Sequence, residues 1–453
     1  MTPKSQMPLS YTQWMKKCLA DYRAPSAIGP VAESEVGASG KIPAAYLTRA
    51  LREDSAKILQ SRGYLSSVGY TFDGDLHLEG MAVPFAVFLM RCRFLGDIHM
   101  WRMKAKTLSF NGSIFELGAD FRSTSLEGHL LMRGLSVSGP LIVRDMVISG
   151  AADFSGSDFR FDGSGTSSLI NAASNEAVGF SRSTAQMLYW RNLRKKPRAV
   201  VNFRDAYVKT FMHDLDQDPE LRSWPRQSLV VLDGFRYDRI EQCEPERAIR
   251  WIKLQPQFVA SAYAALAQAY ANLRLDQSAQ EVMIAFKQEE ISRFPSAVKK
   301  AFYRGVFFAV GYGQRPGRAL LILTILFLLH VAISTTIWRF NLMEPSSDKL
   351  AFDPCYYTQG PKCKNSALPW RGIKLQDEVR YVPADYPEFS EPEFSARAFA
   401  PFIFRSADAS WDPRQGVVRI VLSILSATGM LMAGLFFGSL SGLLSPKIKL
   451  LRE

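Results

Sequence analysis

The sequence predicts a right-handed parallel β-helix with helical caps, joined to a two-helix transmembrane region. Three observations carry that expectation. Short apolar-x-apolar segments introduced by glycine recur through the first half of the chain. Two long apolar runs lie in the second half, and basic residues crowd one side of both. At 453 residues the chain exceeds one ordinary domain, so two or three folded units are expected. An apolar fraction of 47% leaves any membrane part a minority of the mass. The net charge of +12 calls for anionic partners, either lipid headgroups or nucleic acid.

Residues 1–65 read as an N-terminal segment ending in a capping helix. The opening "MTPKSQMPLSYTQWMKKCLADYRAP" lacks an apolar core before a small-residue cleavage site, so it is not read as a signal peptide. The bulk of the chain is therefore expected in the cytoplasm. "IPAAYLTRALREDSAKILQ" (42–60) is helical by pattern and precedes the first coil.

Residues 66–240 carry the solenoid. "GDLHL" (74–78), "GDIHM" (96–100), "GHLLM" (128–132) and "GPLIV" (139–143) share a glycine, a variable residue and then apolar-x-apolar. Their apolar positions Leu76, Ile98, Leu130 and Leu141 are 22, 32 and 11 residues apart, near multiples of about 11. Between them "TLSF", "GADF", "LSV" and "AADF" alternate as short half-buried strands do, and glycines at the corners permit bends. An antiparallel sandwich would need longer strands and Asn-Gly hairpins, which the sequence lacks. A solenoid exposes unpaired ends, so it needs caps. "SAYAALAQAYANLRLDQSAQEVMIAFKQEE" (261–290), within a helical hairpin at 241–293, resembles one tetratricopeptide unit. A single unit cannot bury its own face, which favours a cap over a peptide groove.

Residues 294–318 combine a basic, aromatic helix expected in the headgroup layer, "AVKKAFYRGVFFAV", with the elbow "GYGQRPGRAL". In the elbow Gly311 and Gly313 allow a turn, Arg315 and Arg318 hold headgroups, and Pro316 suits a first helical turn. Residues 319–337 and 417–444 are long enough to span a bilayer. Lys299, Lys300, Arg304, Arg315, Arg318, Lys447, Lys449 and Arg452 flank one side, against Arg339, Lys349, Arg405 and Arg414 on the other. That bias places both termini and the tail 445–453 in the cytoplasm and the loop domain 338–416 outside. Cys355 and Cys363 lie in that loop, where an oxidising compartment allows a disulfide; two free surface thiols are the alternative.

Several motifs carry a family resemblance in order: "MLYWRN" (187–192), "VVNFRDAYV" (200–208), "SWP" (223–225), "LVVLDGFRYDRI" (229–240), "AIRWIKLQPQF" (248–258) and "GYGQRPGRAL" before two apolar helices. The chain resembles bacterial pentapeptide-repeat-like membrane proteins often labelled membrane-associated oxidoreductases, from about residue 70 to the C-terminus. The resemblance implies a right-handed β-solenoid, a helical module and a two-helix tail in the bacterial inner membrane. It transfers no catalytic residue. "RKKPR" (194–198) and the long outside loop depart from the pattern.

Chemical motifs are scarce. No G-x-G-x-x-G, C-x-x-C or H-E-x-x-H occurs, so no cofactor and no metal site are expected. "GASGK" (37–41) lacks the first glycine and the final hydroxyl of a phosphate loop. "DLDQD" (214–218) places Pro219 where a calcium loop needs its turn glycine. His77 and His99 occupy equivalent positions and are expected to stack as an exposed ladder. Asp233, Tyr237, Asp238 and Arg239 are expected to form a seam between the last coil and the helical module. "RKKPR" suits anionic lipid or solvent better than nucleic acid. Gly434, Gly438 and Gly442 lie on one helix face for close helix packing, within the chain or between copies. His330 near mid-bilayer either lines a pore or, the favoured reading, caps a backbone carbonyl.

The expected function is a non-enzymatic inner-membrane protein whose cytoplasmic solenoid is an interaction or sensing platform on a two-helix anchor. The alternatives are an oligomeric pore-forming effector and a membrane-bound oxidoreductase with a dispersed site. Expected partners are an anionic bilayer, further copies of the chain and a cytoplasmic protein.

Overall fold

The computed structural model describes residues 9–20, 36–169, 175–218, 220–310, 316–345, 354–357, 370–375, 379–384, 386–399, 411–414 and 416–440. They form two compact units that divide between Glu289 and Glu290.

Three parallel sheets of six, seven and nine strands build the first unit; the first five turns pass from the first sheet to the second and third, and the last two carry strands of the second and third alone. This is a parallel β-solenoid of seven turns, counted on the seven-stranded sheet. Alternation sends every second side chain inward, where like residues stack on successive turns. Leu76, Ile98, Ala119, Leu141, Val178, Val201 and Val230 form one such ladder on the second sheet. Leu65, Val87, Leu108, Leu130, Ala152, Leu188, Phe211 and Ile240 form another on the third. All of these are buried, and each large aliphatic contributes about 1.5–3 kcal/mol by leaving water.

These ladders correct the expected period. Leu76, Ile98 and Leu141 share the second sheet, but Leu130 stands on the third, so 11 residues is half a turn rather than a repeat. The position between Ile98 and Leu141 belongs to Ala119 of "GADF". Later turns lengthen because excursions leave the frame after Phe159, Trp190 and His213.

Glycines of the G-x-apolar motif serve close approach more than bending. A Cβ on Gly96 would lie 2.5 Å from the Gly74 carbonyl carbon, and one on Gly139 would lie 2.6 Å from the Gly118 nitrogen. At the corner between the second and third sheets the left-handed conformation falls on Gly80 and Gly234, but also on Arg102, Ser123, Asp145, Arg182 and Asp205. Side chains there tolerate a conformation that costs about 1–2 kcal/mol each.

Helices close both ends. Helix α1 (Tyr11–Ala20), which the sequence reading passed over, buries Trp14, whose indole N–H donates to Ser67 Oγ at 3.3 Å. Within the stretch expected to be helical from 42, Gly40–Pro43 is instead a strand that pairs with Tyr70–Asp73 and extends the first sheet. Helices α2 (Ala45–Glu53) and α3 (Ser55–Ser61) follow. At the other end the expected hairpin is three helices: α4 (Pro245–Ile252), α5 (Ala260–Asn272) and α6 (Asp276–Ser292). Trp251 of α4 packs on Trp224 and Phe211 at 5.1 and 5.6 Å and so covers the last turn.

In the second unit, α7 (Ala297–Val310) packs beside α8 (Pro316–Arg339). The segment between α8 and the last helix carries α9 (Pro354–Tyr357), an antiparallel hairpin of Trp370–Lys374 with Val379–Pro383, and α10 (Glu391–Phe399). Helix α11 (Gly416–Leu440) then runs antiparallel to α8: Ala319 meets Met432, and Ile337 meets Leu422. Each of α8 and α11 contains 23 residues long and apolar enough to cross a membrane. Part of the 338–416 segment packs against their ends, where Trp338 of α8 stacks on Phe389 at 5.0 Å and meets Trp411 at 5.2 Å, while α10 lies further along both helices.

Candidate functional site

Three helices of the second unit meet around one histidine. His330 lies nine residues before the C-terminal end of α8, about 14 Å along its axis. In a helix that spans a hydrocarbon layer of about 30 Å, this is near the middle. The side chain is wholly buried, as are Ser334 on the next turn and Ser395 of α10. His330 Nδ1 is 2.8 Å from Ser395 Oγ and 3.5 Å from Ser334 Oγ, while Nε2 is 3.3 Å from Ser426 Oγ of α11.

The hydrogen bonds assign the ring proton. Ser426 donates its hydroxyl to the Leu422 carbonyl at 2.8 Å, so its oxygen accepts from His330 Nε2–H. Nδ1 then accepts from Ser395. The expectation that His330 caps a backbone carbonyl is therefore corrected: its partners are side-chain hydroxyls, one on its own helix and two on other helices.

Aromatic rings surround this polar node. Phe394 and Phe399 of α10 lie 5.7 and 5.5 Å from the imidazole, and Phe399 meets Phe327 edge-on at 6.0 Å. Gly429 of α11 makes the room, since a Cβ there would overlap the Phe399 ring. Helix α10 thus reaches the level of His330 between the two long helices. Short helical segments persist at such depth where protein covers them. Sequence reading missed Ser395 and Phe399 because "EPEFSARAF" looks like any short amphipathic loop helix, and Ser426 because nothing local sets it apart from the other serines of α11.

The remaining candidates separate. Asp233 accepts from Ser261 of α5 at 3.2 Å, and the Asp238 carbonyl accepts from Asn272 Nδ2 at 2.8 Å. Tyr237 is buried between Phe211 and Phe235, and burial pushes its phenol well above the usual range. Arg239 is exposed and pairs across the sheet with Thr210. Of the four, Asp233 and Asp238 bond the last turn to α5.

Pro316 opens α8 and Arg318 is exposed on it, while Gly311, Gly313 and Arg315 lie outside the described residues. A Cβ on Gly434 would meet nothing within 4 Å; Gly438 is half-buried, and Gly442 lies outside the described residues. Cys355 sits in α9, and its expected partner Cys363 lies outside the described residues. The His77 and His99 rings stack 5.0 Å apart and 3° from parallel, with Glu79 2.9 Å from His77. Among the described residues no group of three His, Cys, Asp or Glu side chains is placed to hold a metal.

No protein-family model matches this chain, and no curated protein or solved structure matches it either.

Proposed function

We propose that the chain is a membrane-anchored scaffold whose β-solenoid, on the cytoplasmic side of a bacterial inner membrane, presents a rigid docking face to a protein partner. In the same reading it joins the pentapeptide-repeat-like membrane proteins whose motif order it resembles. One observation supports the platform most directly. On the outer side of the nine-stranded sheet, Val147 and Tyr207 flank Thr184, and Met187 stands three residues further along the strand between them, with 52%, 39% and 36% of their surface exposed. Apolar and aromatic groups on a flat, inflexible sheet are what a protein partner needs.

The test is a photo-crosslinker at Met187 in cells, with one at Lys41 on the first sheet as control. A discrete adduct from Met187 alone is expected. Topology is read from single cysteines at Tyr357 and Lys104. The first should label in intact spheroplasts and the second only after lysis. No adduct, or the reverse labelling, refutes the proposal.

A second reading, an oligomeric pore, draws support from Gly434, whose open side leaves room for a helix of another copy. Ion flux through reconstituted vesicles that Gly434→Leu abolishes would favour it over the scaffold.

A further inference from the structure

Two excursions from the solenoid frame, after Trp190 and after His213, come together at the surface. Lys195, Lys196 and Arg198 of the first and Arg226 of the second, with Pro197, line a cavity of about 490 Å³. The four cations are exposed, and none forms an ion pair with a described residue. Asp162 is held below the usual carboxylate range mainly by two hydrogen bonds from Ser164, with Arg198 a lesser influence. Among the described residues the cations of the cleft are thus left without an ion-pair partner.

The walls are fastened from beneath. Buried Asp214 accepts the Asn192 N–H at 2.6 Å and the Ser223 hydroxyl at 2.5 Å, joining the two excursions. The Trp190 indole donates to the Ser223 carbonyl at 2.9 Å, and Asp218 accepts the Ser223 N–H at 2.9 Å. Arg194 N–H bonds the Ser157 carbonyl of the neighbouring turn at 2.9 Å. Backbone held this way carries its side chains to the same place before a ligand arrives, which lowers the ordering cost of binding.

We propose that this cleft binds a phosphate ester bearing two or more phosphate groups, either a soluble metabolite or a lipid headgroup. The volume suits a compact ligand, since small-molecule sites run from about 300 to 1,000 Å³. Two guanidinium forks offer paired N–H donors to phosphate oxygens, and two ammonium groups supply point charge. Among the described residues no aromatic ring lines the cleft, so they offer no stacking platform of the kind single-stranded nucleic acid uses.

Acylation of lysines in the full-length protein, held in phosphatidylcholine nanodiscs and read by mass spectrometry, tests this. Pyrophosphate should protect Lys195 and Lys196 at concentrations at least about tenfold below those needed with inorganic phosphate. Arg226→Ala and Arg198→Ala should each raise the protecting concentration about tenfold or more. If the ligand is a headgroup, pyrophosphate has no effect, and cardiolipin in the nanodisc protects the same lysines in wild type but not in Arg226→Ala. Both arginines are exposed, so loss of the fold does not confuse the result. Absence of protection by either probe, protection indifferent to both substitutions, or protection by a single-stranded oligonucleotide alone overturns the proposal.

Discussion

Gly96→Ala should damage the solenoid more than Gly80→Ala, although Gly80 is the glycine with a left-handed backbone. The added Cβ at 96 would stand 2.5 Å from both the carbon and the oxygen of the Gly74 carbonyl. Ordinary contact needs about 3.4 Å or more, so neighbouring turns must part by most of an ångström. Backbone cannot rotate aside as a side chain does. Overpacking of this kind costs about 1–3 kcal/mol. The same movement strains the bonds Leu76 N–H to the Asp97 carbonyl and Asp97 N–H to Asp75 Oδ1, both 2.9 Å, at about 1 kcal/mol each. The sum is about 3–5 kcal/mol. At Gly80, φ is +66° and a Cβ meets nothing within 4 Å, so the cost is the conformational 1–2 kcal/mol, roughly. Both substitutions reduce unfolded-chain freedom equally, and that contribution cancels. Thermal unfolding of the full chain in detergent, followed by fluorescence of the buried Trp190, Trp224 and Trp251, compares them. A midpoint for Gly80→Ala at or below that of Gly96→Ala would refute the stacking argument.

Acid should weaken the solenoid through His213. Burial pushes its imidazole from the ordinary 6.5 down to about 4, so between those pH values the unfolded chain binds the proton and the folded chain does not. Stability is complete above about 6.5 and falls by about 3 kcal/mol as pH drops to about 4, a slope that denaturant titrations should show and His213→Asn should remove. Burial also raises the Cys92 thiol to about 12 and the Cys243 thiol to about 11, so neither should react with maleimide at neutral pH until the protein unfolds. Mass spectrometry before and after denaturant checks this, and native labelling at Cys92 would contradict its position in the core. In the second unit, Gly429→Val should expel the Phe399 ring and loosen α10. A cysteine introduced at Ser395 should then label in the double variant and stay protected in the single one.

Much of this molecule was legible along the chain. Alternating apolar residues in short segments, glycine before them and the absence of hairpin turns specify strands that stack in parallel. That inference needs only the two-residue period of a strand and the requirement that an apolar face be covered. Lengths near twenty apolar residues likewise identify α8 and α11, because the thickness of a bilayer sets the length of a helix.

Alternation tells which side chains point inward but not which turn or sheet they join. Leu130 was therefore assigned to the ladder of Leu76 and Ile98, though it stacks between Leu108 and Ala152. Turn length depends on how far each excursion departs, and nothing local encodes that. The same limit hid both polar assemblies. His330 meets Ser395 and Ser426 across 65 and 96 residues of chain, and "RKKPR" becomes one wall of a cleft only when Asp214 fastens Ser223 beside it. Sequence by itself determined the kinds of element and their burial, which follow from local periodicity. Tertiary structure decided which polar groups face one another, because that depends on chain closure over long separations.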